Sequence, residues 1–290
     1  SGDIFNTEFN LEPRLAAMYQ LNEFSSIKAS YGRTVQYAQL ASNASAGIPF
    51  DMWFPTSPNI KPQKCDQFSI GYFRNFLNNE IETSVEFFYK NIHNVIDFAD
   101  NATLIGNLYI DGEVRAGKGY AYGAEFLLRK NFGDFSGWIS YTYSKSMRKI
   151  PGINYDREYV SPYDRPHNLS IVLNYAFNKR FDVSASWVYN TGQPVTYPCG
   201  KYTVDGVTYA VYNGRNNSRY PDYHRLDLSA TIKCKDRHKN WKGEWNFSIY
   251  NAYGRKNTWA VLFLSEGEHI STTKVSLFSF IPSATYNFKF

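Results

Sequence analysis

Between Asn168 and Asn190 the chain alternates with a strict period of two. Leu169, Ile171, Leu173, Tyr175 and Phe177 share one side, and Asn168, Ser170, Asn174 and Asn178 share the other. Lys179 and Arg180 then turn the chain. Phe181, Val183, Ala185, Trp187 and Tyr189 follow, against Asp182, Ser184, Ser186 and Asn190. Residues two apart in a strand lie on one face, so each segment has an apolar face and a polar face over its whole length. Each segment runs for about ten residues, the length that crosses a bilayer as a tilted strand. Soluble sandwiches use shorter strands with turn signals every 8–12 residues. The hairpin therefore predicts a sheet lying between two different solvents.

The same pattern recurs throughout. Leu11–Leu21 carries Leu15, Ala17, Tyr19 and Leu21 on one face, and Asn22–Glu23 turns it into Phe24–Tyr37, with Ile27, Ala29 and Tyr31. Phe68, Ile70 and Tyr72 lead to a turn at Asn78–Asn79, and Val85, Phe87 and Tyr89 return. Tyr120, Tyr122, Ala124, Phe126 and Leu128 precede a turn at Asn131–Asp134 and the segment Phe135–Ser146. Leu226, Leu228, Ala230 and Ile232 precede Trp245, Phe247 and Ile249, a strand expected to continue irregularly through Gly254 to Phe263. After a brief Ser265–His269 link, the chain ends on Pro282, Ala284, Tyr286, Phe288 and Phe290, set against Ser283, Thr285, Asn287 and Lys289. A change of parity between Leu277 and Pro282 predicts a bulge or bend. No segment from Leu11 onward has a helical period.

Short and long connections alternate, apart from the Ser265–His269 link, as they do in transmembrane β-barrels. The fold class is thus all-β, a transmembrane antiparallel barrel wall in a single unit spanning residues 1–290. About eleven strands can be counted. An odd number makes the first and last strands parallel in direction, and single-chain bacterial barrels have even numbers. A sheet of eleven strands that begins inside a surface loop at Ser1–Asn10 is therefore not expected to be a complete small barrel, and its open edges call for a partner segment to close it.

Composition agrees. The chain is 43% hydrophobic and 18% aromatic, with 24 Tyr and 22 Phe, yet its mean hydropathy is −0.46. Alternating lipid and lumen positions average to such values, and no apolar run reaches the length of a spanning helix. No leader opens the sequence, which places any secretion signal on an upstream part or among residues already removed. Lys233, Lys235, Arg237, His238, Lys239 and Lys242 cluster near one turn. The cluster is short and isolated, as expected of a solvated turn near anionic head groups and not of a nucleic-acid site. Cys65, Cys199 and Cys234 are an odd set without CxxC spacing.

Catalytic chemistry finds no foothold. Asp156, Glu158 and Asp164 lie near Arg157 and Arg165 in sequence; at a barrel mouth such neighbours are expected to form rim salt bridges and not an acid/base pair. The five histidines lack metal-ligand spacing, and Gly117 and Gly119 lack the spacing and the helix of a phosphate loop. Neither enzyme activity nor a cofactor nor a metal site is expected. The long connections are richer. Phe50, Asp51, Met52, Trp53 and Phe54 crowd one of them, Tyr155 and Arg157 lie in another, and Tyr197, Tyr202, Tyr209, Tyr212, Arg215, Arg219 and Tyr220 populate a third. Aromatic rings with a few polar and basic groups grip sugars, chelates or peptides, so these are the candidate substrate-binding residues. The same rings could instead pack loop against loop or meet lipopolysaccharide.

Five stretches carry a resemblance. They are Ile27–Arg33 (IKASYGR), Tyr122–Glu125 (YGAE), Tyr163–Leu169 (YDRPHNL), Asn251–Asn257 (NAYGRKN) and the terminal Ile281–Phe290 (IPSATYNFKF), which ends on an aromatic carboxy-terminal residue. In order and spacing they resemble the carboxy-terminal half of the barrel of TonB-dependent outer-membrane receptors, in particular large ones with a carboxypeptidase-like regulatory domain. The resemblance implies 22 strands around a plug in the outer membrane of a Gram-negative bacterium. It also implies nutrient uptake (siderophore, cobalamin, glycan or peptide) and a TonB complex reached through the missing amino-terminal half. A surface lipoprotein and outer-membrane lipid with lipopolysaccharide are the further partners implied. Nothing here resembles a plug or a TonB-contacting box, so no energy-coupling residue transfers to this chain. The alternative reading is a structural or adhesive outer-membrane barrel serving as a platform for partner proteins. A passive porin is a third reading, which the presence or absence of a plug would decide.

Overall fold

The computed structural model describes residues 8–42, 51–100, 102, 104, 106–205, 207–234, 242–266 and 269–289. Eleven strands form the wall: β1 (Arg14–Asn22), β2 (Ser25–Gln36), β3 (Gln63–Phe76), β4 (Ile81–Phe98), β5 (Val114–Lys130), β6 (Phe135–Lys149), β7 (His167–Asn178), β8 (Phe181–Asn190), β9 (Tyr223–Lys233), β10 (Lys242–Tyr250) and β11 (Ile281–Lys289). They pair in chain order in one antiparallel sheet, and a short strand at Tyr159–Val160 adds to the end of β6.

Register turns the period-two pattern into faces. Tyr19, Ile27, Tyr72, Val85, Phe126, Tyr141 and Leu169 are successive Cα partners across β1–β7. Leu173, Ala185, Leu228, Ile249 and Pro282 form another such row across β7–β11. One apolar face thus runs unbroken along the sheet. On the other face Asn174, Ser184, Ser229, Ser248 and Ser283 are partners. Ser184 and Ser229 share a hydrogen bond of 2.7 Å between their Oγ atoms, and Ser248 and Ser283 one of 2.6 Å.

Among the described residues nothing covers the apolar face: Leu15 is 72% exposed, Phe87 55%, Ile70 53% and Phe247 46%. Contiguous exposure of this kind is foreign to a water-soluble surface and normal against lipid. The buried hydrophobic residues gather instead at one end of the wall. Ala41, Phe54, Ile60, Ile96 and Phe98 form one cluster, and Val95, Ile150, Ile153 and Tyr159 form a second. That end carries the long connections, 37–62, 99–113, 150–166, 191–222 and 251–280; Glu23–Phe24, Leu77–Glu80, Asn131–Asp134 and Lys179–Arg180 turn at the other.

Three expectations change. The strand expected to run on to Phe263 stops at Tyr250, because Asn251 leaves the sheet with a φ of 55° and its side chain holds the departing backbone. Asn251 Nδ2 donates to the carbonyls of Arg255 (2.8 Å) and Ser279 (3.0 Å), drawing both ends of the connection together. Ala260–Glu266 and His269–Val275 pair with each other as a separate hairpin, so the Ser265–His269 link, whose residues 267–268 lie outside the described residues, joins the strands of that hairpin inside one long connection and is not a link between wall strands. The parity change before Pro282 is likewise the join between connection and strand, since β10 and β11 pair without a register shift.

Leu173 sits on the apolar face opposite Gly137 and Ala185, midway along its strand, and Asn174 points to the other side. In lipid, Leu173→Arg is expected to cost about 2–4 kcal/mol and Asn174→Arg far less. Heat-induced loss of the folded band of the assembled barrel measures both; equal effects would reverse the assigned faces.

Candidate functional site: the interlocked connections

The cluster under the connections is built on a β-bulge. At Asn94, which has a φ of 58°, β4 slips by one residue against β5. Odd-numbered positions, which present Val85, Phe87 and Tyr89 to the apolar side, thereafter face the opposite side with Val95 and Asp97. Asn94 Nδ2 donates to Pro62 O at 2.9 Å, pinning the bulge to the first long connection.

Asp97 is 1% exposed and must find partners for its carboxylate. Arg215 Nη2 donates to Oδ1 at 2.7 Å, and the Phe98 amide to the same oxygen at 2.9 Å. Tyr159 Oη donates to Oδ2 at 2.9 Å, and Arg148 Nη1 lies 3.4 Å from it. Burial, followed by the Asp97 charge, pushes the Tyr159 hydroxyl above its ordinary range, so it remains a donor. Arg148 also donates to Ile96 O at 3.1 Å. Asn154 extends the network: its amide donates to Asp100 Oδ2 at 2.8 Å and its Oδ1 accepts the Arg215 amide at 2.8 Å. One carboxylate therefore ties the end of β4 to β6 and to the connections 150–166 and 191–222.

A second set of ties lies beside it. Arg219 pairs with the buried Asp164 and donates to Asp164 O (2.9 Å) and Gly192 O (3.1 Å). Asp164 Oδ1 accepts the Ser146 amide at 2.6 Å. Asp222 Oδ2 accepts from Tyr189 Oη at 2.7 Å and Oδ1 accepts the Gly192 amide at 2.9 Å. These bonds, the tyrosine's first, hold the Asp222 carboxyl below the usual carboxylate range. A lowered pKa contributes stability above the ordinary carboxylate value, and that stability is lost as pH falls through the lowered one. At Gly192 a Cβ would collide with Tyr220 O, so only glycine allows these two backbones to meet.

The expected cargo residues divide. Trp53 (62% exposed), Tyr155 (72%), Tyr202 (53%) and Tyr209 (46%) stand at the surface with Asp51, Arg157 and Tyr212. Tyr202 and Tyr209 stack at 5.3 Å across the hairpin of Pro198–Val204 and Val207–Tyr212. Tyr197 is half-buried, 6.5 Å from Tyr220 between ring centroids. Phe54, Arg215 and Arg219 depart from the expectation of an exposed pocket. Phe54 packs edge-on to Phe98 at 5.8 Å, and both arginines are spent on the carboxylates just described. Phe50 lies outside the described residues. The expected rim pairs also rearrange: Asp164 pairs across connections with Arg219, Asp156 accepts the Gly152 amide, and Glu158 accepts from Tyr120.

Asp97, Arg148 and Tyr159 escape sequence reading because their partners lie 51 to 118 residues apart. The available signal is local: Val95-Ile96-Asp97-Phe98 breaks the alternation just where a carboxylate sits among apolar residues. Asp97→Ala would leave the buried Arg148 without its carboxylate and Arg215 with Asp100, 3.7 Å away, as its remaining ion pair among the described residues, at a cost of about 3–5 kcal/mol. The expected result is faster proteolysis within 191–222 while the wall keeps its heat resistance; unchanged proteolysis would show that the hub does not hold the connections.

Comparison with known proteins follows the same lines. Residues 2–252 match the family model described as TonB dependent receptor-like, beta-barrel. No curated protein matches the chain. Among solved structures it is similar to the ferric-catecholate import receptor Fiu from K12 E. coli, with 18% identity and a TM-score of 0.58, covering 95% of this chain and 34% of that one. It is also similar to the ferripyoverdine receptor of the outer membrane of Pseudomonas aeruginosa, with 14% identity and a TM-score of 0.59 over 96% of this chain and 33% of that one. The siderophore receptor PiuA from Acinetobacter baumannii aligns at 18% identity and a TM-score of 0.57, covering 95% and 35%. The chain thus spans about a third of the length of these receptors. A sheet with one lipid-type face, alternating connections and a family match over most of its length places this chain in the TonB-dependent receptor β-barrel family.

Proposed function

We propose that this chain is the carboxy-terminal half of the barrel of an outer-membrane receptor that imports a nutrient by TonB-dependent transport. The observation that carries the reading is the pair of open sheet edges. Among the described residues β1 and β11 each pair on one side only, while the apolar face between them is continuous. In hydrocarbon, unpaired backbone N–H and C=O groups cost several kcal/mol each, so both edges require partners. A partner segment with a plug and about eleven further strands would close one barrel of 22. The plug would reach the TonB complex from the periplasmic side, and the interlocked connections would face outward, beside lipopolysaccharide and any lid lipoprotein. Cargo would be met by the exposed rings, with Trp53, Tyr155, Tyr202, Tyr209 and Tyr212 as first contacts. Chemistry on the cargo has no place in this reading: transport is the whole function.

Cysteines placed at Ala17 on β1 and at Ala284 on β11 are expected to cross-link to the rest of the receptor in intact membranes. If the chain alone purifies as a folded, closed monomer without another β-rich segment, the half-barrel reading fails. Deleting the gene should abolish uptake; a strain that loses surface adhesion while uptake persists would favour the platform reading. Trp53→Ala is expected to weaken cargo binding and leave assembly intact. Phe54→Ala should loosen the first connection by about 3–5 kcal/mol through the cavity it leaves, a difference visible as proteolysis of that connection.

A further inference from the structure

A cavity of about 320 Å³ opens on the polar face of the wall where β8, β9 and β10 meet their connections. Asn190, Tyr223 and Tyr250 fix the side it faces. Asn190 and Tyr223 are Cα partners with the parity of Ser184, Ser186 and Asp227, and Tyr250 shares that parity on β10. The cavity therefore faces the lumen, at its outer mouth, and its volume is at the small end of ordinary ligand pockets.

Its walls separate into fixed and free groups. The floor is fixed: Arg225 donates to the hydroxyls of Tyr223 (3.0 Å) and Tyr250 (2.8 Å), and the Arg225 charge is met by Asp227 at 2.8 Å. Asn251 and Asn257 are occupied by backbone partners. The rim is free. Among the described residues Arg165, Asn190, Gln193 and Thr258 make no side-chain hydrogen bond, and Trp259 and Phe278 are 53% and 61% exposed beside them. Gly192, closed against Tyr220, and Asp222, which takes the Gly192 amide, brace the segment that carries Gln193.

From this we infer that the cavity is a subsite for a neutral oligosaccharide. The inference rests on the receptor reading above and names its cargo class. Amide and hydroxyl side chains left free beside exposed rings suit a ligand with many hydroxyls and flat apolar sugar faces, which stack on Trp and Phe and hydrogen-bond at their edges. Charge decides against the rivals. Among the described residues, Arg165 is the single cation of the lining and no carboxylate is part of it. A ferric citrate or ferric catecholate complex carries several negative charges and would need several cations to offset its lost hydration. A free peptide would bring a cationic terminus with no carboxylate to meet it.

The test uses the complete receptor purified in detergent and follows tryptophan fluorescence. The probes are neutral oligosaccharides derived from starch, xylan, mannan and levan, together with ferric citrate, a ferric catecholate and triglycine. At least one neutral oligosaccharide is expected to bind. Trp259→Ala and Gln193→Ala should each weaken it about tenfold or more, with a Trp259→Phe variant recovering most of the loss. Binding of the variants is read by calorimetry, since Trp259 is itself a fluorophore, and heat resistance checks that each variant folds. Binding of the ferric complexes or of triglycine in place of sugars overturns the inference. So does an array on which no neutral oligosaccharide binds, or sugar binding that both alanine variants leave unchanged. The receptor reading is judged separately, by uptake in the deletion strain, so either reading can fail while the other stands.

Discussion

The backbone hydrogen-bond ladder is the constraint from which the rest of this structure follows. A chain whose apolar face meets hydrocarbon has no water to satisfy its amides and carbonyls there, so each strand must pair along its full length with a neighbour. Pairing in chain order makes antiparallel hairpins and so puts alternate connections at the same end, which here is the end that carries all the long ones. The side chains follow from the ladder. Once Leu169 pairs with Tyr141 and Tyr189, every second residue on three strands is committed to the same face. A shift by one residue would move all of them to the lumen. The wall needs no core for this reason: its apolar surface is the face offered to lipid, and burial in the ordinary sense begins only among the connections.

There the solvent changes and so does the physics. Phe54, Ile96 and Phe98 pack as they would in a small water-soluble domain, and Asp97 is held by two arginines and a tyrosine. Buried ion pairs of this kind give little net stability compared with an apolar replacement, because desolvation takes back most of the attraction. Their value lies in geometry. A carboxylate with four specific donors accepts one arrangement of the segments that carry those donors, and the arrangement of the connections is what a binding surface requires.

The sequence displayed the wall and concealed the site. Strand identity, facing and the odd count follow from a period of two that survives along the chain, since each element of that pattern is local. The misjudged stretch after Tyr250 failed for an equally local reason. Ala260, Leu262 and their neighbours alternate well enough to extend a strand, and only the side-chain bonds of Asn251 to Arg255 and Ser279 reveal that the chain has left the sheet. Aromatic and basic residues in the connections were visible as a crowd, but their division into exposed rings and internal ties was not. Arg215 and Arg219 look like cargo contacts because their carboxylates, Asp97 and Asp164, lie far away in sequence, one on a strand and the other in a different connection.

The two polar hubs also explain where a pocket can exist. Between rigid strands and loosely tethered loops, a cavity would fill with whichever side chain relaxed into it. Here the floor tyrosines are held by Arg225, the Gly192 corner by Asp222 and Arg219, and the far side by Asn251. Each brace removes a conformation in which Gln193 or Trp259 could collapse inward. Ordering those groups costs entropy once, at folding, and need not be met again when a ligand arrives. Along the rest of the described lumen face, serines and asparagines stand among charged side chains such as Glu86, Lys90, Glu125 and Arg129; the proposed recognition lies instead at the outer mouth, where the ladder ends and side-chain networks take over the work of holding the chain.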